Sequence, residues 1–418
     1  MLSLKYITEN TELVKECIEH KKCDVNISDV LSLDKSRKSI INEVEKLKAN
    51  RNNLNKEISK SRTDKSNFSN TLINEMKKIS KEIKELDKQL DIIKNKLNNK
   101  LLYIPNIIHK SSPRGTVDDN VVVKEWGEKP KFTFDIKDHK DLCEINNLVD
   151  FKRAANISGS GFPLYTNLGA KLERGLINFM LDIHSKSGYV ELFPPFLVNT
   201  NSPKTTGNLP KFSEDMYFID IDNLYCIPTA EVPVTNMHIN EILNEDNLPK
   251  KYVAYSACFR REAGSYGKDT KGLLRLHQFN KVELVKFVKP EESYNELELL
   301  LIDAEKILQK LNLHYRVISL ASGDLSFSAA KCYDIEVWSP YENKYLEVSS
   351  CSNFESFQST RGNIKFRNKK TNKLEFLHTL NGSGLATPRL MVALLETFQD
   401  ENGNIKIPSI LNQYMNYE

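Results

Sequence analysis

The chain has 418 residues, 28% of which are charged, and a formal net charge of +3. This length is enough for two or three domains, and no apolar run approaches the roughly 18 residues of a membrane-spanning helix, so we expect no membrane association. The seven cysteines form no C-x-x-C pair and the histidines form no H-E-x-x-H motif, which argues against zinc and disulfides and favours a reducing compartment. The N-terminal segment contains acidic residues and lacks a long apolar stretch, so we expect no signal peptide and a cytoplasmic location.

The first strongly periodic region lies between residues 36 and 100. Its seam positions recur at alternating spacings of four and three residues, which is typical of a coiled coil. These positions are Ile40, Val44, Leu47, Arg51, Leu54 and Ile58, followed by Leu72, Met76, Ile79, Ile83, Leu86, Leu90, Ile93 and Leu97. The pattern predicts helices over about 36–61 and 70–100, and the short polar turn between them (61–70) makes them antiparallel neighbours.

Positive charge is concentrated on this predicted arm. Residues 36–100 contain 17 lysines and arginines against nine acidic residues, a net charge of +8, whereas the rest of the chain carries −5. A solvated coiled-coil face or a dimerising rod would explain this pattern. A surface that contacts the phosphates of a nucleic acid would explain it as well.

The region after the arm contains one long amphipathic segment. Pro105 ends the second helix, and residues 161–165 (GFPLY) look like a strand that leads into the next domain. Residues 167–186 predict a helix with one apolar side, formed by Leu168, Leu172, Leu176, Phe179, Met180 and Ile183. Residues 189–197 predict a strand that two prolines interrupt. Ordinary core packing is sufficient to explain this helix and strand.

Residues 252–288 contain the most informative pattern. Two segments rich in apolar residues, 252–259 and 276–288, flank a polar loop at 264–272, which predicts a long hairpin. Charged and aromatic residues recur at even spacing on each limb, so each set is expected on one strand face: Arg260 and Glu262, then Arg275, Phe279 and Glu283. A solvated hairpin with surface ion pairs would give this pattern. A site for an amino acid activated by ATP would also give it, because guanidinium groups suit phosphates, a ring suits a base and a carboxylate suits an ammonium group.

Short polar patterns mark three other segments. Thr229-Ala230-Glu231 is compatible with helix N-capping. A helix at 291–311 and strands at 315–320, 332–338 and 344–350 follow the hairpin, and Glu347 and Ser349 are expected to share one face of the last strand. Residues 379–389 (TLNGSGLATPR) predict a strand that turns through two glycines into an apolar helix.

The amino-acid sequences of these segments resemble those of the class II aminoacyl-tRNA synthetases, and most closely those of the bacterial-type seryl-tRNA synthetases. The hairpin, with Phe259-Arg260-Arg261-Glu262 and Arg275…His277-Gln278-Phe279…Glu283, looks like motif 2, over about 252–288. Residues 172–197 look like motif 1, and residues 379–399, with Arg389, look like motif 3. The resemblance runs from Pro105 essentially to the C-terminus.

The resemblance implies an α+β protein with two domains. An N-terminal antiparallel two-helix coiled-coil arm (1–104) would grip the long variable arm of tRNA(Ser). A class II catalytic domain (105–418), an antiparallel sheet flanked by helices, would form a homodimer through motif 1. The implied reaction activates L-serine with ATP to seryl-adenylate and pyrophosphate, then transfers serine to the 3′-terminal ribose of tRNA(Ser), and of tRNA(Sec) where that tRNA exists.

The resemblance also assigns the site residues, with ATP and Mg²⁺ as ligands and no zinc. Arg260, Arg275 and Arg389 would be catalytic: Arg260 would bridge the serine carboxylate and the α-phosphate, and the other two would bind phosphates. The serine pocket would comprise Thr229, Ala230, Glu231, Arg260, Glu283, Asn381 and Ser383. The ATP site would comprise Arg260, Arg261, Glu262, Arg275, Phe279, Glu347, Val348, Ser349, Ser350 and Arg389, with Glu347 and Ser350 on magnesium.

Two alternatives remain at this point. Another class II enzyme, such as a threonyl or prolyl synthetase, should carry an anticodon-binding domain after motif 3, but only about 20 residues follow it here. A non-catalytic tRNA-binding paralogue should have lost the motif arginines, which this sequence retains.

Overall fold

A computed structural model describes residues 1–61, 68–263 and 271–415 of the chain. The fold divides into two compact units. One comprises Leu2–Glu19 and Cys23–Ile104, and the other comprises Met1, His20–Lys22 and Pro105–Glu418. No helix in the described part of the chain is both long enough and apolar enough to cross a membrane.

In its described residues the smaller unit is helical, with α1 (Leu4–Glu9), α2 (Thr11–His20), α3 (Ile27–Ser61) and α4 (Phe68–Leu101). Helices α3 and α4 pack along the predicted seam, where Val44, Leu54, Leu72 and Ile79 are buried. Their antiparallel arrangement brings Lys100, in the last turn of α4, to 2.9 Å from Asp29 in the first turn of α3. The predicted coiled coil is therefore confirmed.

The start of α3 was predicted wrongly, because the helix begins at Ile27 rather than near residue 36. The Asn26 side chain accepts a hydrogen bond from the backbone N–H of Ser28 at 2.9 Å, so it supplies the start signal. Ile27 and Val30 are buried, which extends the apolar side of the helix towards its N-terminus. A turn was expected at residues 61–70. Residue 61 and residues 68–70 are helical, and residues 62–67 lie outside the described residues.

The larger unit combines a large sheet with helices. Its helices are α5 (His139–Ile145), α6 (Phe151–Ser158), α7 (Asn167–Lys186), α8 (Asn201–Thr206), α9 (Glu231–Asn236), α10 (Ser293–Lys310), α11 (Phe357–Gly362), α12 (Thr387–Thr397) and α13 (Asn412–Met415). Its strands are β1 (Val121–Trp126), β2 (Val190–Leu192), β3 (Leu197–Asn199), β4 (Phe218–Ile219), β5 (Leu224–Cys226), β6 (Ile242–Asn244), β7 (Lys250–Phe259), β8 (Gln278–Val288), β9 (Tyr315–Ser319), β10 (Lys331–Ser339), β11 (Lys344–Asn353), β12 (Lys365–Arg367), β13 (Leu374–Phe376) and β14 (His378–Ala386).

Among the described residues, eight of these strands form one sheet in the order β1-β9-β10-β11-β14-β8-β7-β2. The pairs are antiparallel except for β2 with β7. Side chains from α7, α10 and α12 share the largest core with this sheet. The predicted α+β class is confirmed, as are the α7 helix, the pairing of strands β7 and β8, and the β10–β11 hairpin. Of the loop predicted between β7 and β8, residues 264–270 lie outside the described residues.

Two expectations about backbone conformation are wrong. The segment at 161–165 is not a strand, because only Tyr165 forms an isolated bridge, with Val149, and Pro163 has no N–H to donate. Gly382 and Gly384 do not form a turn but lie inside β14. A Cβ at Gly384 would lie 2.5 Å from Nε2 of His184, so this glycine makes room for a protein side chain rather than for a ligand.

The expectation that Glu347 and Ser349 share a strand face is also wrong. The register pairs Ser349 with Ile335 but Glu347 with Glu336, so Val348 is the extra residue of a bulge. The bulge reverses the alternation of side chains along β11. Ser349 is buried and its Oγ donates to the carbonyl of Ser383 at 2.7 Å, whereas Ser350 faces the same side as Glu347.

Candidate active site

A cleft with two connected lobes lies over the motif-like segments of the larger unit. We call the first the acidic lobe, a cavity of about 560 Å³ that includes Thr229, Glu231 and Asn381. The second, the aromatic lobe, is a cavity of about 310 Å³ that includes Phe279 and Arg389. The two lobes share seven lining residues: Arg260, Glu262, Arg275, Lys281, Glu347, Ser350 and Ser383. A ligand that reaches from one lobe into the other would therefore pass five charged side chains and two hydroxyl groups.

Strand β8 forms the floor of the cleft because its side chains alternate between two environments. Val282 and Leu284 point into the core that the sheet shares with α7, α10 and α12. The alternate residues Phe279 and Lys281 line the cleft, and Glu283 follows them at the same two-residue spacing. The apolar and polar alternation of this one strand thus positions both the core and the site.

The acidic lobe is organised around the buried carboxylate of Glu283. Its Oε2 accepts a hydrogen bond from Thr229 Oγ1 at 2.9 Å and lies 2.6 Å from Lys281 Nζ. Its Oε1 accepts from Asn381 Nδ2 at 3.1 Å. A carboxylate has about four lone-pair positions, so three protein donors leave one position of Glu283 without a protein donor among the described residues.

Glu231 is the second carboxylate of the acidic lobe. It begins α9, and its backbone N–H donates to Thr229 Oγ1 at 3.2 Å. The N-cap residue of α9 is Ala230, whose side chain has no hydrogen-bonding group, so the N-capping interpretation of Thr229 is wrong. Burial, reinforced by the nearby Glu283 and opposed by a hydrogen bond from Gln358, raises the pKa of Glu231 to about 7. A cation bound beside Glu231 would favour its ionised form.

Three arginine side chains, those of Arg260, Arg275 and Arg389, line the aromatic lobe together with Phe279. The guanidinium carbon of Arg260 lies 5.1 Å from the centre of the Phe279 ring, and Arg260 Nε donates to the carbonyl of Pro228 at 3.4 Å. Arg275 Nη1 lies 2.6 Å from Glu262 Oε2. Within the described residues, the buried Nε of Arg275 has no hydrogen-bond acceptor, which is the condition expected of a group that awaits an anion.

Arg260 and Glu262 do not share a strand face, although both line the cleft. Strand β7 ends at Phe259, and Glu262 has a positive φ of 52°, in the left-handed region. The backbone N–H of Arg260 instead donates to the carbonyl of His277 at 2.9 Å. Glu262 reaches the cleft through this turn rather than through strand alternation.

Arg389 and Glu347 close one side of the aromatic lobe. Arg389 Nη1 donates to the carbonyl of Glu347 at 2.9 Å and lies 3.6 Å from its Oε2, while Nε donates to the carbonyl of Leu274 at 3.3 Å. The bulge in β11 places Ser350 on this side too, where its Oγ donates to Asp334. No group of three or more histidine, cysteine or acidic side chains with metal-binding geometry occurs among the described residues. A carboxylate and a hydroxyl fit Mg²⁺ that takes its other ligands from phosphates and water.

Twelve of the predicted site residues line the cleft: Thr229, Glu231, Arg260, Glu262, Arg275, Phe279, Glu347, Val348, Ser350, Asn381, Ser383 and Arg389. Four others are not among the lining residues: Ala230, Arg261, Glu283 and Ser349. Ala230, Glu283 and Ser349 are buried beneath the surface, and Arg261 contributes its backbone N–H to Asp215.

The sequence interpretation missed Lys281, which lines both lobes and forms an ion pair with Glu283. It also missed Gln358, which donates to Glu231 at 2.6 Å. The even spacing of Phe279, Lys281 and Glu283 could have identified Lys281. No comparable signal marks Gln358, because it comes from α11, far along the chain.

Two family models match the chain. Residues 1–108 match the seryl-tRNA synthetase N-terminal domain, and residues 217–398 match the class II tRNA synthetase core domain of the G, H, P, S and T enzymes. Among curated relatives, the serine–tRNA ligase of Chloroherpeton thalassium is 54% identical over 100% of this chain and 99% of its own length. That of Caldicellulosiruptor saccharolyticus is 55% identical over 99% of each chain.

Solved structures give a consistent comparison. The seryl-tRNA synthetase from Pyrococcus horikoshii complexed with ATP superposes with a TM-score of 0.94 and 37% identity, over 100% of this chain and 99% of the other. The prolyl-tRNA synthetase from Giardia lamblia superposes with a TM-score of 0.58 and 18% identity, over 67% of this chain and 57% of the other, and so shares the fold.

Proposed function

Because the chain belongs to the seryl-tRNA synthetase family, a group of class II serine–tRNA ligases, we propose that its two lobes divide the substrates between them. The activity joins L-serine to tRNA in two steps and consumes ATP. In our proposal the acidic lobe binds serine and the aromatic lobe binds ATP. The observation that carries this assignment is the position of Arg260, which lines both lobes and so stands where the two substrates must meet.

Serine binding would use the carboxylates of the acidic lobe. The ionised Glu231 suits the ammonium group of serine, and the remaining acceptor position of Glu283 suits its hydroxyl. Thr229, Lys281 and Asn381 hold Glu283 in place, so its oxygens need no rearrangement when serine enters. Ser383 borders the same space, and Ala230 supports it from the buried side.

ATP binding would use the ring and the arginines of the aromatic lobe. The adenine would stack on Phe279, with Arg389 over its other face and on the far phosphate, and Glu262 would accept from its amino group. This requires Arg275 to exchange part of its contact with Glu262 for a phosphate. Its Nε supports that role, because this atom has no hydrogen-bond acceptor in the part of the chain that the structure describes. Arg261, Val348 and Ser349 would contribute through the backbone that shapes this lobe.

The chemistry needs position and charge rather than a protein nucleophile. The serine carboxylate attacks the α-phosphorus of ATP, the bond to the bridging oxygen breaks and pyrophosphate leaves. Arg260, between both reactants, would neutralise the charge that develops on the α-phosphate. In the second step the tRNA ribose hydroxyl attacks the seryl carbonyl carbon and AMP leaves.

We further propose that Glu347 and Ser350 hold Mg²⁺ together with the phosphates. When bound, the metal neutralises phosphate charge. Ser350 Oγ donates to Asp334 and lies 3.2 Å from Cys332 Sγ, so one lone pair of the hydroxyl remains for a cation when the thiol donates to the other. Glu347 remains about half exposed, so its carboxylate can move from Arg389 towards a metal.

Partners are also part of the proposal. The basic helices α3 and α4 would bind the long variable arm of tRNA(Ser) through its phosphates. The motif 1 segment would form a homodimer, because it exposes apolar side chains that a monomer would leave in water: Val190, Phe193 and Leu197. Phe193 is 79% exposed, and a Phe193→Asp variant should sediment as a monomer.

Serine-dependent ATP–pyrophosphate exchange tests the division of the cleft. Arg260→Ala should lower the exchange rate by a factor of 10²–10³, the usual effect of removing one preorganised donor, about 3–4 kcal/mol. Arg153→Ala is the matched control, because Arg153 is exposed, pairs with Asp150 at the start of its own helix and does not line the cleft. Near-normal exchange by Arg260→Ala would refute the assignment.

A further inference from the structure

We call the segment from Lys271 to His277, which leads into β8, the return limb of the hairpin. Two neighbouring residues outside the cleft hold this segment just before Arg275. Asp138 caps α5, and His139 is the first residue of that helix. The carboxylate of Asp138 forms an ion pair with Lys271 Nζ, and Nε2 of His139 accepts from the backbone N–H of Leu273 at 3.3 Å. Both side chains are almost fully buried.

Glu396 fixes His139 from the other side. Its Oε1 lies 3.3 Å from Nδ1 of His139 and 3.3 Å from the His139 backbone nitrogen. Its Oε2 accepts from Ser339 Oγ and from the backbone N–H of Tyr341. Because Leu273 donates to Nε2, the proton of a neutral His139 lies on Nδ1 and points to Glu396. The orientation of the ring is thus determined on both sides.

Gly272 shows how closely the return limb approaches His139. Its φ is +60°, and a Cβ there would lie 2.2 Å from Nε2 of His139. A side chain at this position would displace the ring or the chain. Three consecutive residues, from Lys271 to Leu273, are therefore each fitted to the pair Asp138–His139.

The proposed ATP-binding residues follow directly from this anchor. Arg275 comes two residues after Leu273, and the carbonyl of Leu274 accepts from Arg389 Nε at 3.3 Å. Arg389 and Glu396 lie on the same helix, α12. That helix contacts the return limb directly through Arg389, and indirectly through His139, which Glu396 holds. We propose that Asp138, His139 and Glu396 form a clasp of positioning residues that places Arg275 and Arg389 for the phosphates of ATP.

This inference rests on the proposed function of the aromatic lobe. The clasp contacts no substrate in our assignment, and it acts through the backbone of the return limb. A misplacement of about 1 Å at a phosphate-binding group can cost up to about a hundredfold in rate. Loss of the clasp should thus weaken the use of ATP and leave the use of serine unchanged.

The decisive variant is Lys271→Met, with Lys124→Met as its matched control. Lys271 is 53% exposed and pairs with a buried carboxylate, and Lys124 is 45% exposed and pairs with buried Glu305. Lys124 lies on the edge strand β1 and is not among the residues lining the cleft. Both variants should show equal thermal unfolding midpoints. Lys271→Met alone should raise the KM for ATP in pyrophosphate exchange, by about tenfold, with the KM for serine within twofold of the parent.

Two substitutions of His139 separate its contacts. His139→Gln keeps an acceptor for the Leu273 N–H, whereas His139→Asn keeps the donor to Glu396 and loses that acceptor. We expect the KM for ATP to rise more in His139→Asn. Kinetics of Lys271→Met identical to those of Lys124→Met, or an equal rise in the KM for serine, would overturn the clasp. If Arg275→Ala raises the KM for ATP and Lys271→Met does not, the clasp alone fails; if neither does, the aromatic lobe assignment fails too.

Discussion

Serine binding should weaken as the pH falls through neutrality, because Glu231 must be ionised to bind an ammonium group. Burial and the neighbouring Glu283 raise the pKa of Glu231 to about 7. With a pKa of 7, roughly nine-tenths of Glu231 is ionised at pH 8 and roughly one-tenth at pH 6. Serine competes with the proton on Glu231, so its KM should rise about tenfold from pH 8 to pH 6.

Pyrophosphate exchange at saturating ATP, measured between pH 6 and pH 8, gives this KM directly. The KM for ATP over the same range is the internal control, since the aromatic lobe lies away from Glu231. Glu231→Gln keeps the acceptor for Gln358 and removes the charge, so it should bind serine weakly at every pH. A serine KM that stays constant with pH in the parent, or a tenfold change that persists in Glu231→Gln, would refute this reasoning.

Three further outcomes test separate parts of the molecule. Glu347→Ala should raise the Mg²⁺ concentration for half-maximal exchange by at least about tenfold, as titration with MgCl₂ would show, and an unchanged midpoint would contradict the metal assignment. Replacing the exposed arm residues Lys77, Lys81 and Lys84 with Glu should leave exchange intact but reduce tRNA affinity, and the salt slope of tRNA binding should fall by about one for each of these lysines that binds a phosphate. Burial raises the pKa of Glu173 to about 7, well above its unfolded value, so its contribution to stability is present in acid and disappears as the pH rises to about 7. Glu173→Gln should therefore gain about 3 kcal/mol relative to the parent between pH 4.5 and pH 8 in urea unfolding, and parallel pH profiles would contradict this.

Long regular elements were predictable because their signal is repeated many times. The α7 helix has the predicted bounds, since six apolar residues define one side over 20 residues. The β7–β8 hairpin was found for the same reason. In each case an error at one position would not have changed the interpretation.

Single-residue changes of backbone conformation were not predictable. Nothing in the local sequence marks Val348 as the extra residue of a bulge, yet that residue decides that Ser350, and not Ser349, faces the cleft with Glu347. The positive φ of Glu262 is equally invisible, because glutamate rarely adopts it. Both features depend on tertiary contacts, which the local sequence does not show. The family resemblance therefore identified these site residues correctly, whereas the rule that side chains alternate along a strand predicted their orientation wrongly.

Rejection of alanine should depend on the buried carboxylate of Glu283. Alanine differs from serine only by the hydroxyl, and an apolar pocket would discriminate only weakly between the two amino acids. In this chain three protein donors leave Glu283 one acceptor position, so bound alanine would leave that fourth position of a buried carboxylate without a donor. Sites of this kind reject the analogue that lacks the hydroxyl by roughly 10⁴ in kcat/KM, and exchange with alanine should be lower than with serine by about that factor. Thr229→Val removes one donor and frees a second position on Glu283 for water, so it should reduce the ratio of the exchange rate with serine to that with alanine. An unchanged ratio would mean that Glu283 does not bind the serine hydroxyl.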